Sequence, residues 1–509
     1  MSKSSNKTIA KNTIFLFIRT LLVMGISLYT SRVVLSVLGV DDFGIYNVVG
    51  GVVSMLAFLN SAMVQASQRY LSVAQGKNDV EEQKKVFSTS VLIHVTIAII
   101  VVLILETLGL WYVNNKVVLP PDRLRAANYV YQFSILIFLC KILVVPYNAS
   151  VIAHEKMDIY AYISIADYVL QLILVIVLKF VSCDKLILYG AMMLFVACCY
   201  YLFYYAYTKK HFVECTFQWD NNRNLYKEMF SFASWAFLGG LGYVARNQGV
   251  NLVINLFCGP AINAARGLAF QVSSAIQTLI SSFQQSMNPQ IIKRYASGEI
   301  DSMMTLVKAG AKYSFLLLLV CFTPILVRPD YILSLWLGNV PEYADGFLIM
   351  SIIMTLIISM GGPLNTAMQA TGNIKTFQIV VSFIMICDIP LAYYLLTLNI
   401  EPYLVTGISI LTSILCLLAK LVLLRRLVPF NVSKFLISVV FRNTLVAIIV
   451  LAVFYYLETI IPVSFTGFIV LCFLSVAING LIVYLVGLEK REREMFIEMV
   501  KHVSLKFKK

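Results

Sequence analysis

Apolar runs of roughly 20 residues, separated by short polar stretches, recur from one end of the chain to the other. A bilayer core of about 30 Å takes roughly 20 apolar residues at about 1.5 Å of rise each. The pattern therefore predicts membrane-spanning helices throughout and leaves no segment for a soluble domain. Fourteen spans are read, centred on 13–37, 43–66, 87–112, 128–150, 159–181, 186–207, 229–254, 262–286, 306–327, 345–368, 376–398, 403–424, 435–457 and 464–487, the eighth being the least apolar. The opening "MSKSSNKTIAKN" and the run after it read as a retained first span. That run is too long for a cleavable signal, and no small-x-small site follows it.

Charge sets the expected orientation. An even count puts both termini on one side, and the cytoplasmic side is the one enriched in Lys and Arg. With both termini in the cytoplasm, 30 of the 40 basic residues fall on that face and 7 on the other (Arg32, Lys116, Arg123, Arg125, Lys179, Lys185 and Arg328). Three remain at membrane depth: Lys141, Arg246 and Arg266. The net charge of +14 is thus explained by topology and anionic lipid heads, and no nucleic-acid partner is called for. Composition agrees, with 60% hydrophobic and 13% charged residues, against about 25% charged in a soluble domain. The ten cysteines lie mostly within spans and form no Cys-x-x-Cys pair, so they read as small apolar packing residues. His94, His154 and His211 are scattered, and "AHEKMD" lacks the second histidine of a zinc motif, so no metal site is expected.

The chain contains itself twice. "VPYNASVIAHEKMDIY" ends the fourth span and "GPLNTAMQATGNIKTF" the tenth, with Pro146, Asn148 and Ala153 matching Pro363, Asn365 and Ala370 at an offset of 217. Gly39 after the first span answers Gly259 after the seventh at 220, and Arg69-Tyr70 answers Arg294-Tyr295 at 225. Repeats of this length define architecture. Spans one to six pair with seven to twelve, and because six is even the two repeats run parallel. The expected domains are an N-terminal lobe, 1–213, a C-terminal lobe, 214–428, and 429–509 holding two extra spans. The basic tail "EKREREMFIEMVKHVSLKFKK" is expected to lie along the inner leaflet as an amphipathic helix. In secondary transporters built from such repeats, substrate binds near the midplane between the halves.

Five stretches carry a family resemblance: "SRVVLSVLGVDDFGIYNVVGG", "IAHEKMDIYAYISI", "GPAINAARGLAFQV", "NPQIIKRYASGE" and "MQATGNIKTFQI". They resemble the signature stretches of bacterial polysaccharide flippases, members of the multidrug/oligosaccharidyl-lipid/polysaccharide exporter superfamily. The resemblance covers both repeats. It implies an all-α, MATE-like fold of two six-helix lobes and transport of undecaprenyl-diphosphate-linked oligosaccharide across the bacterial inner membrane, for O-antigen, lipopolysaccharide or capsule. It also implies a cationic central cavity, a polyprenyl tail against spans thirteen and fourteen, and lipid and polysaccharide-assembly partners for a monomeric protein.

No Gly-x-x-x-x-Gly-Lys-Ser/Thr loop occurs, so the chain is not read as an ATPase. Its connections are too short for a catalytic domain, and the outward loops lack the size expected of a glycan polymerase or ligase. No cofactor is expected beyond an H⁺ or Na⁺ used for coupling. The candidate chemistry is the buried charge. A lone Arg at mid-span costs at least about 2.5–3.5 kcal/mol on insertion scales. Arg246 lies about 25 Å into its span by helical rise. Tyr243, Asn247, Asn251 and Asn255 follow every four residues, making a polar stripe beside it. Arg246 could line a cavity, or cap carbonyls where Gly239, Gly240 and Gly242 loosen the helix. Arg266, Lys141, Arg19 and Arg32 are further candidates, because guanidinium and ammonium groups suit a diphosphate or acidic sugar. Asn247 and Asn251 would contact sugar hydroxyls. Asp388, which precedes Ile389-Pro390, and Asp167 lie mid-span, and Glu106 nearer an end. Each could couple an ion or neutralise a cation such as Lys141. The competing expectation is a cation-coupled multidrug exporter of the same fold, with an acid facing an otherwise neutral cavity.

Overall fold

The computed structural model describes all residues except 1–2, 55–57, 78, 116–120, 220–221, 338–339, 490–491 and 495–509. The side chains of some further helical residues, Arg32 among them, also lie outside the description, as does most of the expected tail helix. Every regular element among the described residues is helical. In chain order these are α1 (Lys3–Ser54), α2 (Phe58–Gly76), α3 (Val80–Ile104), α4 (Leu110–Asn115), α5 (Leu124–Leu143), α6 (Val145–Ala153), α7 (Met157–Leu178) and α8 (Lys185–His211). They continue with α9 (Arg223–Ala296), α10 (Ile300–Val327), α11 (Pro329–Leu337), α12 (Ala344–Thr371), α13 (Lys375–Ile386), α14 (Asp388–Thr397) and α15 (Val405–Leu427). Last come α16 (Val432–Phe435), α17 (Arg442–Glu458) and α18 (Phe465–Ile482). The all-α expectation holds. Among the described residues, ten helices are long and apolar enough to cross a membrane, and they coincide with expected spans three to six and nine to fourteen.

The other expected spans fall in α1, α2 and α9, and their geometry bears on the repeat. α1 is broken at Gly39 (φ 78°, ψ 174°) and α9 at Gly259 (φ 80°, ψ 178°). That region of backbone space is essentially reserved for glycine. The two glycines matched by sequence thus adopt one unusual conformation, and each ends one helix and starts the next within a single residue. A second pair repeats the agreement. Glu155 (φ 59°) and Gly372 (φ 80°) are 217 residues apart, and both turn the chain out of a helix in the left-handed region.

Contacts group the chain into two compact units, which follow packing rather than the repeat boundary. One holds Met1–Leu241, Gln285–Met303 and Met368–Ile379; the other holds Gly242–Gln284, Met304–Ala367 and Val380–Lys509. In the first unit a core of Ile45, Val49, Ala98, Ala127, Val130 and Ile142 joins α1, α3 and α5. The Tyr131 hydroxyl donates to the Leu105 carbonyl at 2.7 Å, an oxygen that also accepts the Leu110 N–H across the π-helical turn Leu105–Gly109. Arg123 bridges Asp42 and Asp184, the latter at 2.8 Å, and Asp184 also caps α8.

In the second unit, α17 and α18 are fastened to α10 by buried polar contacts. The Arg328 guanidinium donates to the carbonyls of Pro462 at 2.9 Å and Glu458 at 3.3 Å. Ser475 donates to the Val320 carbonyl at 2.7 Å, and Lys312 pairs with Glu492 at 2.5 Å. The two extra helices are therefore an integral part of this unit.

The glycine geometry gives a direct test. Gly259→Ala is expected to cost on the order of 1–3 kcal/mol through backbone strain, seen as a lower thermal midpoint in detergent. Gly240→Ala, where an added Cβ meets nothing within 4 Å, should leave the midpoint unchanged.

Candidate functional site

The charged centre of the second unit is built by close helix approach. A Cβ on Gly242 would lie 2.6 Å from the Ser382 Cβ, and one on Gly249 would lie 2.4 Å from the Ile389 Cδ1. These two glycines, seven residues apart on one face of α9, let its backbone press against α13 and α14, as small residues do between helices in membranes. Arg246 lies between them on the same face, together with buried Val250 and Val253. It is 2% exposed and pairs through Nε with Asp388 Oδ2 at 2.8 Å.

The remaining donors of Arg246 are spread over α12 and α15. Nη1 reaches the Ser413 hydroxyl at 3.4 Å, Nη2 the Ser409 carbonyl at 3.4 Å, and Nη2 also the Met354 sulfur at 2.7 Å. The Ser409 hydroxyl donates to Asp388 Oδ2 at 2.7 Å. Asp388 sits at the start of α14 because Pro390 cannot continue the preceding helix. The helix breaks at Cys387, and an acid in the first turn of α14 lies at the favourable positive end of the helix dipole. Asp388 Oδ1 is buried without a hydrogen-bond partner.

The polar stripe and the arginine occupy adjacent faces. Tyr243 is 50% exposed, Asn255 is exposed, and Asn247 and Asn251 are half-buried. The stripe and the charge are joined through Arg266, which is buried, donates to Asn251 Oδ1, and lies 4.5 Å over the Phe270 ring. Arg266 Nε is buried without a partner. Since Arg266 and Asn251 lie on opposite sides of the Gly259 break, that break brings the site's second guanidinium back onto the first helix.

A fourth charge was not singled out by sequence. Lys420 belongs to the basic residues counted toward the cytoplasmic face, yet it is 7% exposed within α15. It feels the charge of Arg246, and its Nζ lies 3.0 Å from where a Gly361 Cβ would be. Among the described residues no acid pairs with it. The signal was present: Ser409, Ser413, Cys416 and Lys420 recur at helical spacing on one face of α15. The second unit thus holds Arg246, Arg266 and Lys420 against Asp388, an excess of buried positive charge.

The remaining candidates belong to the first unit and do not join this cluster. Arg19 is half-buried, 4.6 Å over the Tyr160 ring, with a buried, unpartnered Nε. Lys141 is exposed, and among the described residues no ion pair joins it to Asp167. Asp167 instead accepts from Gln171 at 3.0 Å, and Glu106 from Gln132 at 3.1 Å. The Arg32 side chain lies outside the described residues. Among the described residues no group of His, Cys, Asp and Glu is placed to hold a metal.

Removing one partner of a fully buried ion pair costs about 3–5 kcal/mol, because the other charge is left uncompensated. Asp388→Asn should therefore sharply reduce folded protein recovered in detergent. Replacing both partners by apolar residues, Asp388→Leu with Arg246→Met, should instead leave recovery close to the parent, since such a replacement is close to neutral.

The fold has many solved relatives. MATE in complex with MaD3S superposes with a TM-score of 0.70 at 13% identity, covering 83% of this chain and 97% of that one. An outward-facing multidrug resistance MATE family transporter of the MOP superfamily gives 0.69 at 12% identity, covering 86% and 99%. A MOP superfamily transporter from Pyrococcus furiosus, described as having a binding pocket of reverse polarity, gives 0.67 at 12% identity over 86% and 99%. No curated protein sequence matches the chain. A MatE family model matches residues 236–394, which span the α9 to α14 half of the charged cluster. The model described as polysaccharide biosynthesis protein matches residues 9–294, more than half of the chain. The chain belongs to the polysaccharide biosynthesis protein family, and is a multi-pass membrane transporter of the MOP superfamily with a MATE-like fold.

Proposed function

We propose that this transporter flips lipid-linked oligosaccharide repeat units, carried on undecaprenyl diphosphate, from the cytoplasmic to the outer leaflet of the bacterial inner membrane. The product would feed O-antigen or capsule assembly. The observation that carries this reading is the buried excess of positive charge. Arg246, Arg266 and Lys420 outnumber Asp388, and a lone buried cation is costly unless an anion meets it. A diphosphate supplies that anion, and guanidinium groups bind phosphate oxygens through paired hydrogen bonds. In this reading Arg266 and Lys420 contact the anion while Arg246, held by Asp388, sets the field they act in. Asn247 and Asn251 present amides to sugar hydroxyls. Arg19, Arg32 and Lys141 remain separate substrate-binding candidates within the first repeat, and α17 and α18 offer an apolar surface to the polyprenyl chain.

Movement follows alternating access, the two repeats rocking about the bound head group. Energy comes from an H⁺ or Na⁺ gradient or from consumption of the product beyond the membrane. Of the two mid-span acids, Asp167 suits ion coupling better, because Asp388 already serves as the counter-ion of Arg246. The protein works as a monomer alongside other polysaccharide assembly proteins.

The MatE match and the MATE neighbours favour a second reading, a cation-coupled multidrug exporter. It calls for a carboxylate facing an otherwise neutral cavity, a part open to Asp167 in the first unit, which accepts from Gln171 and forms no ion pair among the described residues. Asp388 is instead neutralised by Arg246 at 2.8 Å and surrounded by further cations. The reverse pocket polarity described for the Pyrococcus furiosus relative fits the anionic substrate better.

Arg266→Gln and Lys420→Gln should each lower surface polysaccharide by about tenfold, the equivalent of ~1.4 kcal/mol of lost binding, with normal protein in the membrane. Wild-type polysaccharide in both strains would sink the assignment. Arg246→Ala is less informative, since it also strands Asp388.

A further inference from the structure

The two left-handed turns of the repeats are each gripped from the other repeat. The Gly372 turn, which ends α12 in the second repeat, is held by α2 of the first. Arg69 Nε donates to the Gln369 carbonyl at 2.6 Å and Nη2 to the Ala370 carbonyl at 3.4 Å. Gln369 donates to Gln65 Oε1 at 2.7 Å. A Cβ on Gly372 would lie 2.3 Å from Arg69 Nη2, so the guanidinium occupies the space that any other residue would need. Arg69 is buried and packed over the rings of Tyr70, at 4.4 Å, and Phe232, at 5.1 Å.

The reciprocal grip holds the Glu155 turn, which ends α6 in the first repeat, from the end of α9 in the second. Gln290 donates to Glu155 Oε2 at 2.5 Å and Lys293 to Oε1 at 2.8 Å. The backbone carbonyl of Glu155 accepts from Asn12 at 3.1 Å. Gln65 and Gln290 are 225 residues apart, the same offset that relates Arg69-Tyr70 to Arg294-Tyr295. Where the ends of α2 and α9 meet, a Cβ on Gly76 would lie 2.8 Å from the Lys293 carbonyl oxygen. All of these residues belong to the first compact unit.

The geometry points to a reciprocal latch: Gln65 and Arg69 on the turn at Gly372, Gln290 and Lys293 on the turn at Glu155. It locks together the ends of the two repeats that the charge bias places in the cytoplasm. Each half of the latch uses a glutamine and a cation from the end of a repeat's second span, aimed at the turn that ends the other repeat's fourth span. Such a lock belongs to a state closed on the cytoplasmic side, and it must open before substrate enters from that side. This inference rests on the alternating-access reading above.

The test uses the full chain in detergent or nanodiscs. Spin labels are placed on Lys77→Cys and Asn373→Cys, and distances are read as the difference from protein without the two added cysteines. The parent should give one dominant short distance. Glu155→Lys should raise a longer-distance population about fivefold, the scale set by loss of a partly exposed ion pair of about 1 kcal/mol. Glu155→Lys with Lys293→Glu should return it toward the parent. An unchanged distribution in Glu155→Lys overturns the latch, as does a swapped pair that stays as open as the single variant. Arg69→Gln, read the same way, covers failure of Glu155→Lys to accumulate. Surface polysaccharide is measured in the same strains. A distance shift without change in polysaccharide would count against the flippase reading and leave the latch standing. Lost polysaccharide with unshifted distances would do the reverse.

Discussion

The constraint on which the charged centre depends is the cost of placing a guanidinium where neither water nor lipid can solvate it. Arg246 is fully buried at mid-helix, and the surrounding sequence is arranged to make that tolerable. Gly242 and Gly249 bring the backbones together, Pro390 breaks the facing helix so that Asp388 starts a new one, and Ser409 bonds the carboxylate while its carbonyl meets the guanidinium. Remove any of the three and the pair is either too far apart or incompletely satisfied. The same low-dielectric setting gives the leftover charges their meaning. Arg266 and Lys420 are not balanced by the one acid nearby, which is the basis for proposing an anionic substrate.

The repeats preserve backbone geometry and let side-chain chemistry diverge. Gly39 and Gly259 share one glycine-only conformation, and Glu155 and Gly372 both have positive φ at the turn that ends a helix. At the offset that pairs the two glycine breaks, however, Arg246 corresponds to Ile26 and Arg266 to Tyr46. At the offset that pairs the turns, Asp388 corresponds to Gln171, one helical turn from Asp167. Left-handed turns and single-residue breaks can be met by few sequences, so duplication keeps them. A buried ion pair is one solution among several, so it survives in one repeat only. Interrupted helices at corresponding places in the two halves are where transporters of this kind gather their binding groups, and among the described residues the fully buried Arg–Asp pair lies in the second repeat.

Much of the architecture could be read from the sequence, because hydrophobic run length is a direct consequence of bilayer thickness. The repeat was readable too, through Gly39, Gly259 and the matched Pro-x-Asn stretches, whose role is conformational and local. Arg246 and Arg266 stood out because a buried guanidinium in a membrane-spanning helix is energetically costly. The partnership of Arg246 with Asp388 was not readable. They are 142 positions apart in the chain, and periodicity on α9 alone placed the arginine beside the polar stripe rather than on the buried face. Lys420 was missed because a count of basic residues near span ends treats position as exposure. Helix-face spacing with Ser409 and Ser413 was the better guide.

The polar contacts also differ in how easily they can be exchanged, and that difference assigns them to separate tasks. Arg246 and Asp388 have side chains 2% and 1% exposed, so separating them would leave two uncompensated charges in a dry interior. Lys293 and Glu155 are 25% and 12% exposed, Gln65 bonds an amide, Arg69 bonds carbonyls, and Gln290 bonds the Glu155 carboxylate. Contacts of that second kind contribute about 0.5–3 kcal/mol each and can be traded for water when a helix end moves. A transporter that must change shape while keeping its binding groups aligned needs this division. The buried pair is suited to remain fixed through the cycle, and the shallow, reciprocal contacts at the helix ends are suited to make and break with each turn of it.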